Sequence, residues 1–293
     1  MVHTIQNAFL KVSVEENGAE LQSIQDTDGN EYLWQGDSRY WSDRAPILFP
    51  FIGRLTNNSY KYMGKVYPMG IHGFAASSVF VVTEKSEDTI SLQLNSNLRT
   101  KEQYPFEFSL QIVYSLCGKS LHITYQVENQ DEKTMPFGIG GHPGFNVPFE
   151  DGERFENYEL EFSNPCQPDR VGFSPMVYLN GHDEVYALRE NRFIDLHHAL
   201  FDEDAVILKN MAREVTLRSK NSGRSITVSY PEMSYLGIWH WPKTDAPYVC
   251  IEPWTSLPSR QDVVEEFSCK SDLIHLRPGT YNHIMWSITI GPK

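Results

Sequence analysis

His142 and Glu252 are the two ionisable groups whose sequence surroundings favour chemistry. His142 lies in the glycine-rich segment 136–146, where a backbone with few side chains leaves room for a ligand against the imidazole. Glu252 carries the one charge in residues 246–259, an otherwise uncharged, strand-like and aromatic run. A carboxylate is costly to bury unless it is paired, and burial raises its pKa, which suits a general base. Both segments are therefore candidate parts of an active site.

Three further candidate ligand contacts lie in segments whose sequence is not typical of an ordinary β-strand. Arg54 ends the apolar, proline-bracketed run 45–55. It is either an ordinary surface arginine or a partly buried guanidinium that donates to ligand oxygens. His72 precedes Gly73, so a sharp turn there can bare the imidazole, although a lone histidine is more often structural than functional. Trp254 offers a flat apolar surface on which a ring-shaped ligand such as a sugar could stack.

Motifs for other chemistries are absent from the sequence. The glycines around His142 lack the third glycine of a dinucleotide-binding loop, and Pro143 stands where the helix of that motif should start. There is no nucleophile elbow, zinc-protease motif or phosphate-binding loop. No pair among the four cysteines has the spacing of a zinc or redox motif; these are Cys117, Cys166, Cys250 and Cys269. We therefore expect neither a metal nor a cofactor.

The composition narrows the class of partner. The chain has 293 residues, with 38 Asp and Glu against 25 Lys and Arg, and a formal net charge of −13. This acidic balance argues against nucleic acid or an anionic membrane as the main partner. Its apolar stretches are too short to span a bilayer, and the N-terminus lacks the pattern of a signal peptide. The expected location is the cytoplasm, in agreement with so few cysteines in so long a chain.

The dominant hydrophobic period is two, which is typical of half-buried strands. Residues 110–116 and 121–127 alternate on either side of a turn at 117–120 and are predicted to form a hairpin. Further alternating runs are 80–83 with 90–94, 60–62 with 66–67, 215–217 with 226–230, and 284–290. Helical periodicity is poor, and the best candidate for a helix is residues 259–267. These patterns predict an all-β antiparallel sandwich or barrel in a single domain, residues 1–293.

In combination, these motifs resemble the aldose 1-epimerase (galactose mutarotase) family, and most of all its short bacterial branch of LacX-like proteins associated with sugar operons. The likeness runs in the same order from about Asn7 to Ile290. It rests on Gly53-Arg54-Leu55, Ile71-His72-Gly73-Phe74, Gly141-His142-Pro143-Gly144-Phe145 and Cys250-Ile251-Glu252-Pro253-Trp254, together with Glu31-Tyr32-Leu33-Trp34-Gln35 and Phe49-Pro50. The family fold is a large antiparallel β-sandwich, the supersandwich, with the sugar in an open cleft.

The resemblance implies a role for each candidate residue. His142 matches the general acid that protonates the ring oxygen, and Glu252 matches the general base that takes the proton from the anomeric hydroxyl. Arg54 and His72 match substrate contacts. A family aspartate that holds sugar hydroxyls corresponds to Asp204, although Asp202 is equally close in the sequence. The implied activity is interconversion of the α and β anomers of a free hexose, with no metal and no nucleotide.

Three alternative functions remain open at this stage. Epimerisation of a hexose 6-phosphate needs extra cations at the cleft, which Arg39, Arg44 and Arg99 would supply if they converged there. A sugar-binding protein could use the same fold without turnover, but the presence of both an acid and a base candidate weakens this reading. A glycosidase usually needs two opposed carboxylates, and only Glu252 stands out, so we rank it last.

Overall fold

Antiparallel β-strands make up almost all of the regular structure. A computed structural model describes residues 1–150 and 152–291. Within these ranges there are 24 strands: β1 (Val2–Gln6), β2 (Leu10–Glu15), β3 (Leu21–Asp26), β4 (Ile47–Leu48), β5 (Ser59–Tyr62), β6 (Lys65–Pro68), β7 (Val81–Lys85), β8 (Thr89–Asn95), β9 (Phe108–Cys117), β10 (Ser120–Asn129), β11 (Met135–Phe137), β12 (Gly140–Gly141), β13 (Gly144–Asn146), β14 (Tyr158–Phe162), β15 (Asp169–Arg170), β16 (Glu184–Val185), β17 (Phe193–Asp195), β18 (Val206–Lys209), β19 (Glu214–Ser219), β20 (Ser225–Ser229), β21 (Tyr235–Trp239), β22 (Tyr248–Trp254), β23 (Ile274–Leu276) and β24 (Tyr281–Ile290).

Helical structure is limited to short pieces. The one α-helix in the described ranges is α1 (Leu98–Gln103), and four short 3₁₀ helices span Thr56–Asn58, Ala75–Ser77, Phe155–Asn157 and His198–Phe201. None of these helices has the length and apolar character needed to cross a bilayer.

Two large antiparallel sheets organise the chain. The first has nine strands in the order β17-β14-β19-β20-β24-β10-β9-β8-β7. The second has eight strands, in the order β16-β15-β18-β21-β22-β12-β4, with β13 also paired to β22. Smaller sheets are β1-β2-β3, β5-β6 and β11-β23. A single hydrophobic cluster contains residues from both large sheets, among them Ile123 of β10 and Ile251 of β22, so their apolar faces share one core.

The antiparallel β-sandwich predicted from the sequence is confirmed. The hairpin of β9 and β10 pairs Leu116 with Leu121, as its turn signal indicated. The predicted pairings of β7 with β8, β5 with β6, and β19 with β20 are also present. In β10 every second residue is buried, because one face of the sheet packs on the core while the other is more open.

The helix predicted at residues 259–267 is wrong. This segment is irregular, because its side chains and backbone are held by neighbouring structure: Phe267 stacks on Tyr60 at 3.7 Å, and its N–H donates to the carbonyl of Lys61. The helix that does form, α1, is only six residues long, too short for a hydrophobic period to reveal. The sequence feature that marks the start of α1 is the capping box of Asn97 and Thr100, which satisfies the first N–H groups of the helix.

β22 has one face in the core and the other in the candidate site. All seven of its residues are buried, as expected of a strand covered on both sides. Val249 and Ile251 belong to the main core cluster. The alternate residues, which point the opposite way, are Tyr248, Cys250, Glu252 and Trp254. Tyr248 and Cys250 lie in one small apolar cluster and Trp254 in another, so Glu252 is flanked by apolar groups along its own strand.

Candidate active site

Glu252 lies between His142 and Gly237 in the second sheet. On one side, β21 pairs Gly237 directly with Glu252. On the other, Gly140 pairs with Trp254 and Gly144 with Cys250, a constant register that places His142 across from Glu252. A Cβ added at Gly237 would come within 3.2 Å of the Glu252 Cβ, so a glycine here keeps space beside the carboxylate. Sequence positions more than 100 residues apart are thereby brought onto one face.

His142 and Glu252 form a buried pair of ionisable side chains. Nε2 of His142 lies 3.2 Å from Oε2 of Glu252, and their side chains are 11% and 2% exposed. The backbone N–H of His142 donates to the carbonyl of Pro46 at 3.1 Å, which fixes the histidine against the segment before β4. Burial lowers the pKa of His142, and the neighbouring His72 lowers it further. Burial raises the pKa of Glu252, so both shifts favour the uncharged forms.

Asp204, rather than Asp202, faces Glu252. Its negative charge is close enough to raise the pKa of Glu252, whereas the side chain of Asp202 is exposed. Asp204 has a positive φ of 85°, and its Oδ1 accepts the N–H of Ala205 at 2.8 Å. This backbone conformation is uncommon for residues other than glycine, although Asp and Asn tolerate it better than most. The turn before β18 thus directs one of the two candidate aspartates to the site.

His72 is held in one orientation beside His142. The ring Nδ1 of His72 accepts the backbone N–H of Gly53 at 3.1 Å, and the backbone N–H of His72 donates to the Gly53 carbonyl at 3.0 Å. The rings of His72 and His142 are edge to face at 5.7 Å. Burial lowers the pKa of His72 to about 4, with a smaller contribution from the positive charge of Arg54. A neutral ring that accepts at Nδ1 carries its proton on Nε2, which remains free to donate.

Arg54 is exposed, which favours the surface arginine of the two alternatives over a partly buried guanidinium. Its carbonyl accepts the N–H of Ser259 at 2.9 Å, which anchors the backbone. The guanidinium makes no hydrogen bond or ion pair within the described residues, and its charge acts on His72. Arg54 therefore lies at the edge of the site with its donors uncommitted.

Trp254 does not offer an open ring face, which corrects the stacking expectation. It is 5% exposed and packs with Leu48 and Ile52. A Cβ at Gly140 would come within 2.9 Å of the indole ring, so the ring lies directly on the backbone of the neighbouring strand. Trp254 is therefore part of the apolar floor beside Glu252. Its indole Nε1 is buried, and the Trp254 side chain lowers the pKa of Glu252, a smaller effect than the rise caused by burial and by Asp204.

Two tryptophans that the sequence analysis missed enclose His142 instead. The ring of Trp41 is tilted over that of His142 at 4.9 Å, and Trp239 is edge to face with it at 5.6 Å. Both are only partly buried. Gly144 permits this arrangement, because a Cβ there would lie 3.1 Å from the Trp41 ring. Trp41 sits in a polar loop with no strand pattern, so its position could not be inferred, whereas Trp239 follows from the alternation of β21.

Cys250 was also missed as a neighbour of the pair. It is fully buried, two residues before Glu252 on the same face of β22. Donor atoms of His142, Cys250 and Glu252 all lie within 4.8 Å of one another. Burial and the charge of Glu252 raise the pKa of the thiol. The signal was present in the sequence, because residues at positions i and i+2 of a strand point to the same side.

The three arginines considered for a phosphate do not form a common site. Arg39 forms an ion pair with Asp37. Arg44 donates hydrogen bonds to the side chain of Gln22 and to the carbonyl of Gln35. Arg99 lies on the exposed side of α1. No contact within the described ranges joins any of them to His142 or Glu252.

Comparisons with known proteins agree with the fold. The family model for aldose 1-epimerase matches residues 1–283. The chromosomal protein LacX of Lactococcus lactis subsp. lactis is 34% identical, over 99% of this chain and 99% of its own length. Among solved structures, a galactose mutarotase related enzyme from Lactobacillus acidophilus is 34% identical with a TM-score of 0.94, covering 99% of this chain and 97% of that one. A galactose mutarotase-like protein from Lactobacillus casei ATCC 334 is 34% identical with a TM-score of 0.93, covering 99% and 100%.

These matches extend over nearly the whole length of the chain and of the relatives themselves. A putative aldose 1-epimerase from Escherichia coli K12 shares the fold at a TM-score of 0.77, with 17% identity. The match to the family model and the similarity to full-length relatives together show that the chain belongs to the aldose 1-epimerase family.

Proposed function

We propose that the protein is a mutarotase that interconverts the α and β anomers of a free hexose. The observation that carries the proposal is the buried pair of His142 and Glu252, 3.2 Å apart and oppositely perturbed in pKa. Mutarotation moves protons at two oxygens, O1 and the ring oxygen, which are bonded to the same carbon. An acid and a base that lie side by side can therefore serve both.

The reaction needs one proton to leave and one to arrive. Glu252 takes the proton from the O1 hydroxyl, and His142 gives a proton to the ring oxygen. The bond between C1 and the ring oxygen then breaks, and a C1–O1 carbonyl forms. Rotation about the C1–C2 bond presents the other face of the carbonyl, and the reversed transfers close the ring. Each positioned proton transfer contributes roughly 10²–10⁴-fold to the rate.

Throughout these steps the pair as a whole gains and loses no proton. Before ring opening the proton is on His142, and afterwards it is on Glu252, so ring closure restores the starting state. The raised pKa of Glu252 and the lowered pKa of His142 place this one proton on Glu252 before a sugar binds, so ring opening begins after the proton has moved across the 3.2 Å to Nε2 of His142. Such a site exchanges protons with the sugar in both directions, as an interconversion of two similar anomers requires.

The surrounding side chains suit a sugar. Trp41 and Trp239 provide apolar ring surface beside His142, against which the C–H face of a pyranose can lie. His72 presents an Nε2–H donor, and Asp204 provides a carboxylate that accepts from hydroxyls. Arg54 has free donors at the edge. Alternating apolar surface and hydrogen-bonding groups is what a polyhydroxylated ring needs.

The charge of the site favours a neutral substrate. Asp204 and Glu252 contribute acidic groups at the centre, and Arg54 is the cation beside His72. A phosphate requires charge-assisted donors, usually several Arg or Lys side chains together. This supports a free hexose over its 6-phosphate. All four cysteines are free thiols, in keeping with our proposal that the enzyme works in the reducing cytoplasm.

Polarimetry tests the proposal directly. Freshly dissolved α-glucose and α-galactose change optical rotation as they equilibrate, and we expect catalytic amounts of the protein to accelerate that change. Binding of the sugar, measured by quenching of tryptophan fluorescence, without any acceleration would instead identify a sugar-binding protein. If the protein neither accelerates mutarotation nor binds sugar, the proposal is wrong.

A further inference from the structure

The site contains a third donor that mutarotation does not use. Cys250 lies beside His142 and Glu252, and one ligand atom from each of the three falls within 4.8 Å of the others. Cys250 is 0% exposed and Glu252 is 1% exposed. They are alternate residues of β22 and so face the same side, with His142 across from Glu252 in the adjoining segment. The cluster is therefore fixed by strand register rather than by mobile loops.

The spacing suits a small tetrahedral ion. With bonds of about 2.0–2.3 Å to nitrogen, oxygen and sulfur, two ligands of a tetrahedral zinc ion lie roughly 3.3–3.8 Å apart. Nε2 of His142 and Oε2 of Glu252 are 3.2 Å apart. Closing the cluster onto an ion therefore requires side-chain movements of about 1 Å.

The donor atoms have unused bonding capacity. Oε2 of Glu252, the oxygen nearest His142, is buried and makes no hydrogen bond within the described chain. A buried polar atom without a partner carries a desolvation cost that a bound ion relieves. The side chain of His142 is 11% exposed, and the partly buried Trp41 and Trp239 adjoin it, which leaves an approach from the cleft.

The donor types select the metal. A thiolate, an imidazole and a carboxylate are ligands that zinc accepts, whereas Ca²⁺ and Mg²⁺ require sets of oxygen ligands. Two anionic ligands also balance the charge of a divalent ion. We propose that His142, Cys250 and Glu252 bind Zn²⁺, and that the bound ion switches off mutarotation by occupying both proton-transfer groups. The binding step is independent of the proposed function, and only the inhibition rests on it.

Binding is tested first, with Cd²⁺ as a spectroscopic probe for Zn²⁺. Because the other three cysteines are exposed or partly exposed, the test protein is the variant C117S/C166S/C269S, which keeps Cys250 as its one thiol. We expect one Cd²⁺ per chain, an ultraviolet cadmium–thiolate absorption band, and displacement by Zn²⁺. In the same background, Cys250→Ala or the better-filling Cys250→Val should lose the band and weaken Zn²⁺ binding at least tenfold in calorimetry.

The outcomes separate the two parts of the proposal. Absence of the band from the variant that retains Cys250, or equal Zn²⁺ affinity after Cys250→Ala and Cys250→Val, would overturn the site. With the site intact, Zn²⁺ should inhibit mutarotation by the wild type, EDTA should restore it, and Cys250→Ala should be about tenfold less sensitive. Zn²⁺ binding with unchanged mutarotation would support the metal site while arguing against His142 and Glu252 as the acid/base pair.

Discussion

His72 and Gly53 are joined by two hydrogen bonds, one to the imidazole and one to the backbone. Gly53 N–H donates to Nδ1 of His72 at 3.1 Å, and His72 N–H donates to the Gly53 carbonyl at 3.0 Å. The two segments that the sequence marks only by a lone arginine and a lone histidine therefore form one unit. The imidazole is held as a donor at Nε2, aimed by a bond made at its other nitrogen.

His72→Asn should separate these two functions of the ring. Asparagine tolerates the positive φ of 62° at this position, and its Oδ1 can replace Nδ1 as acceptor for Gly53, but it lacks the donor at Nε2. We expect kcat/KM to fall about tenfold, mainly through KM, with little change in Tm. Steady-state polarimetry and thermal unfolding measure both. His122→Asn, on the more open face of β10, is the matched control. Unchanged kinetics in His72→Asn would exclude His72 as a substrate contact.

His142→Asn and Glu252→Gln should each lower kcat by ~10²-fold or more, because each removes a proton-transfer group while keeping the shape of the side chain. Glu252→Gln should also affect stability. Because the pKa of Glu252 is raised in the folded state, its protonated carboxyl makes its full contribution to the free energy of unfolding below pH 4.5. That contribution is lost as the pH rises through the folded-state pKa. The Tm of Glu252→Gln relative to wild type should therefore be higher at pH 8 than at pH 4. Near-normal turnover in either variant would refute the assigned role.

Asp204→Asn should weaken catalysis, whereas Asp202→Asn should not. Asparagine keeps the acceptor for the Ala205 N–H and tolerates a positive φ, so the turn before β18 is preserved. What changes is the charge that faces Glu252. We expect kcat/KM to fall roughly 10-fold in Asp204→Asn, as for the loss of one charged hydrogen bond, and to stay within twofold in Asp202→Asn. Equal effects of the two substitutions would contradict this assignment.

The pH profile of kcat/KM should be a plateau bounded by the two perturbed groups. On the acid side, the lowered pKa of His142 delays its protonation, so activity should decline only well below pH 6.5. On the alkaline side, the raised pKa of Glu252 keeps the shared proton on the pair well above pH 4.5, so activity should decline only when the pH exceeds that raised pKa. In Asp204→Asn the alkaline limb should move to lower pH, because a charge that raises the pKa of Glu252 is gone. An acid limb at pH 6.5 or higher would show an unperturbed histidine.

Free hexoses should be preferred over their 6-phosphates. Arg39 and Arg44 are committed to local partners, and the acidic centre of the site repels a phosphate. Comparison of kcat/KM for glucose, galactose and glucose 6-phosphate measures the preference. A clear preference for glucose 6-phosphate that is lost in Arg39→Ala, Arg44→Ala or Arg99→Ala would reassign the protein to the hexose-phosphate epimerases.

The first sheet was far more predictable from the sequence than the second. Strands such as β9 and β10 are ten residues long, alternate strictly and are joined by a tight turn, so period and turn chemistry agree. The second sheet includes β4, β12 and β15, each only two residues long, whose pairing depends on contacts between distant segments. No local pattern encodes such pairing.

The same distinction separates the candidate site into two groups of residues. His142, Glu252 and His72 stood out because each is an ionisable group in a glycine-rich or uncharged stretch. Trp41 did not, because its place over His142 depends on the missing side chain of Gly144, about 100 positions away. A favourable residue type can be recognised locally, whereas a close approach between two segments becomes visible only when both are in place.

The two faces of β22 have a consequence for how the protein can diverge. Val249 and Ile251 secure the core, while Tyr248, Cys250 and Glu252 line the site from the same seven residues. Because adjacent residues of a strand point to opposite faces, a substitution on the site side leaves the contacts of Val249 and Ile251 with the main core in place. Single exchanges along one strand can thus change the residues that meet a sugar separately from those that hold the two large sheets together.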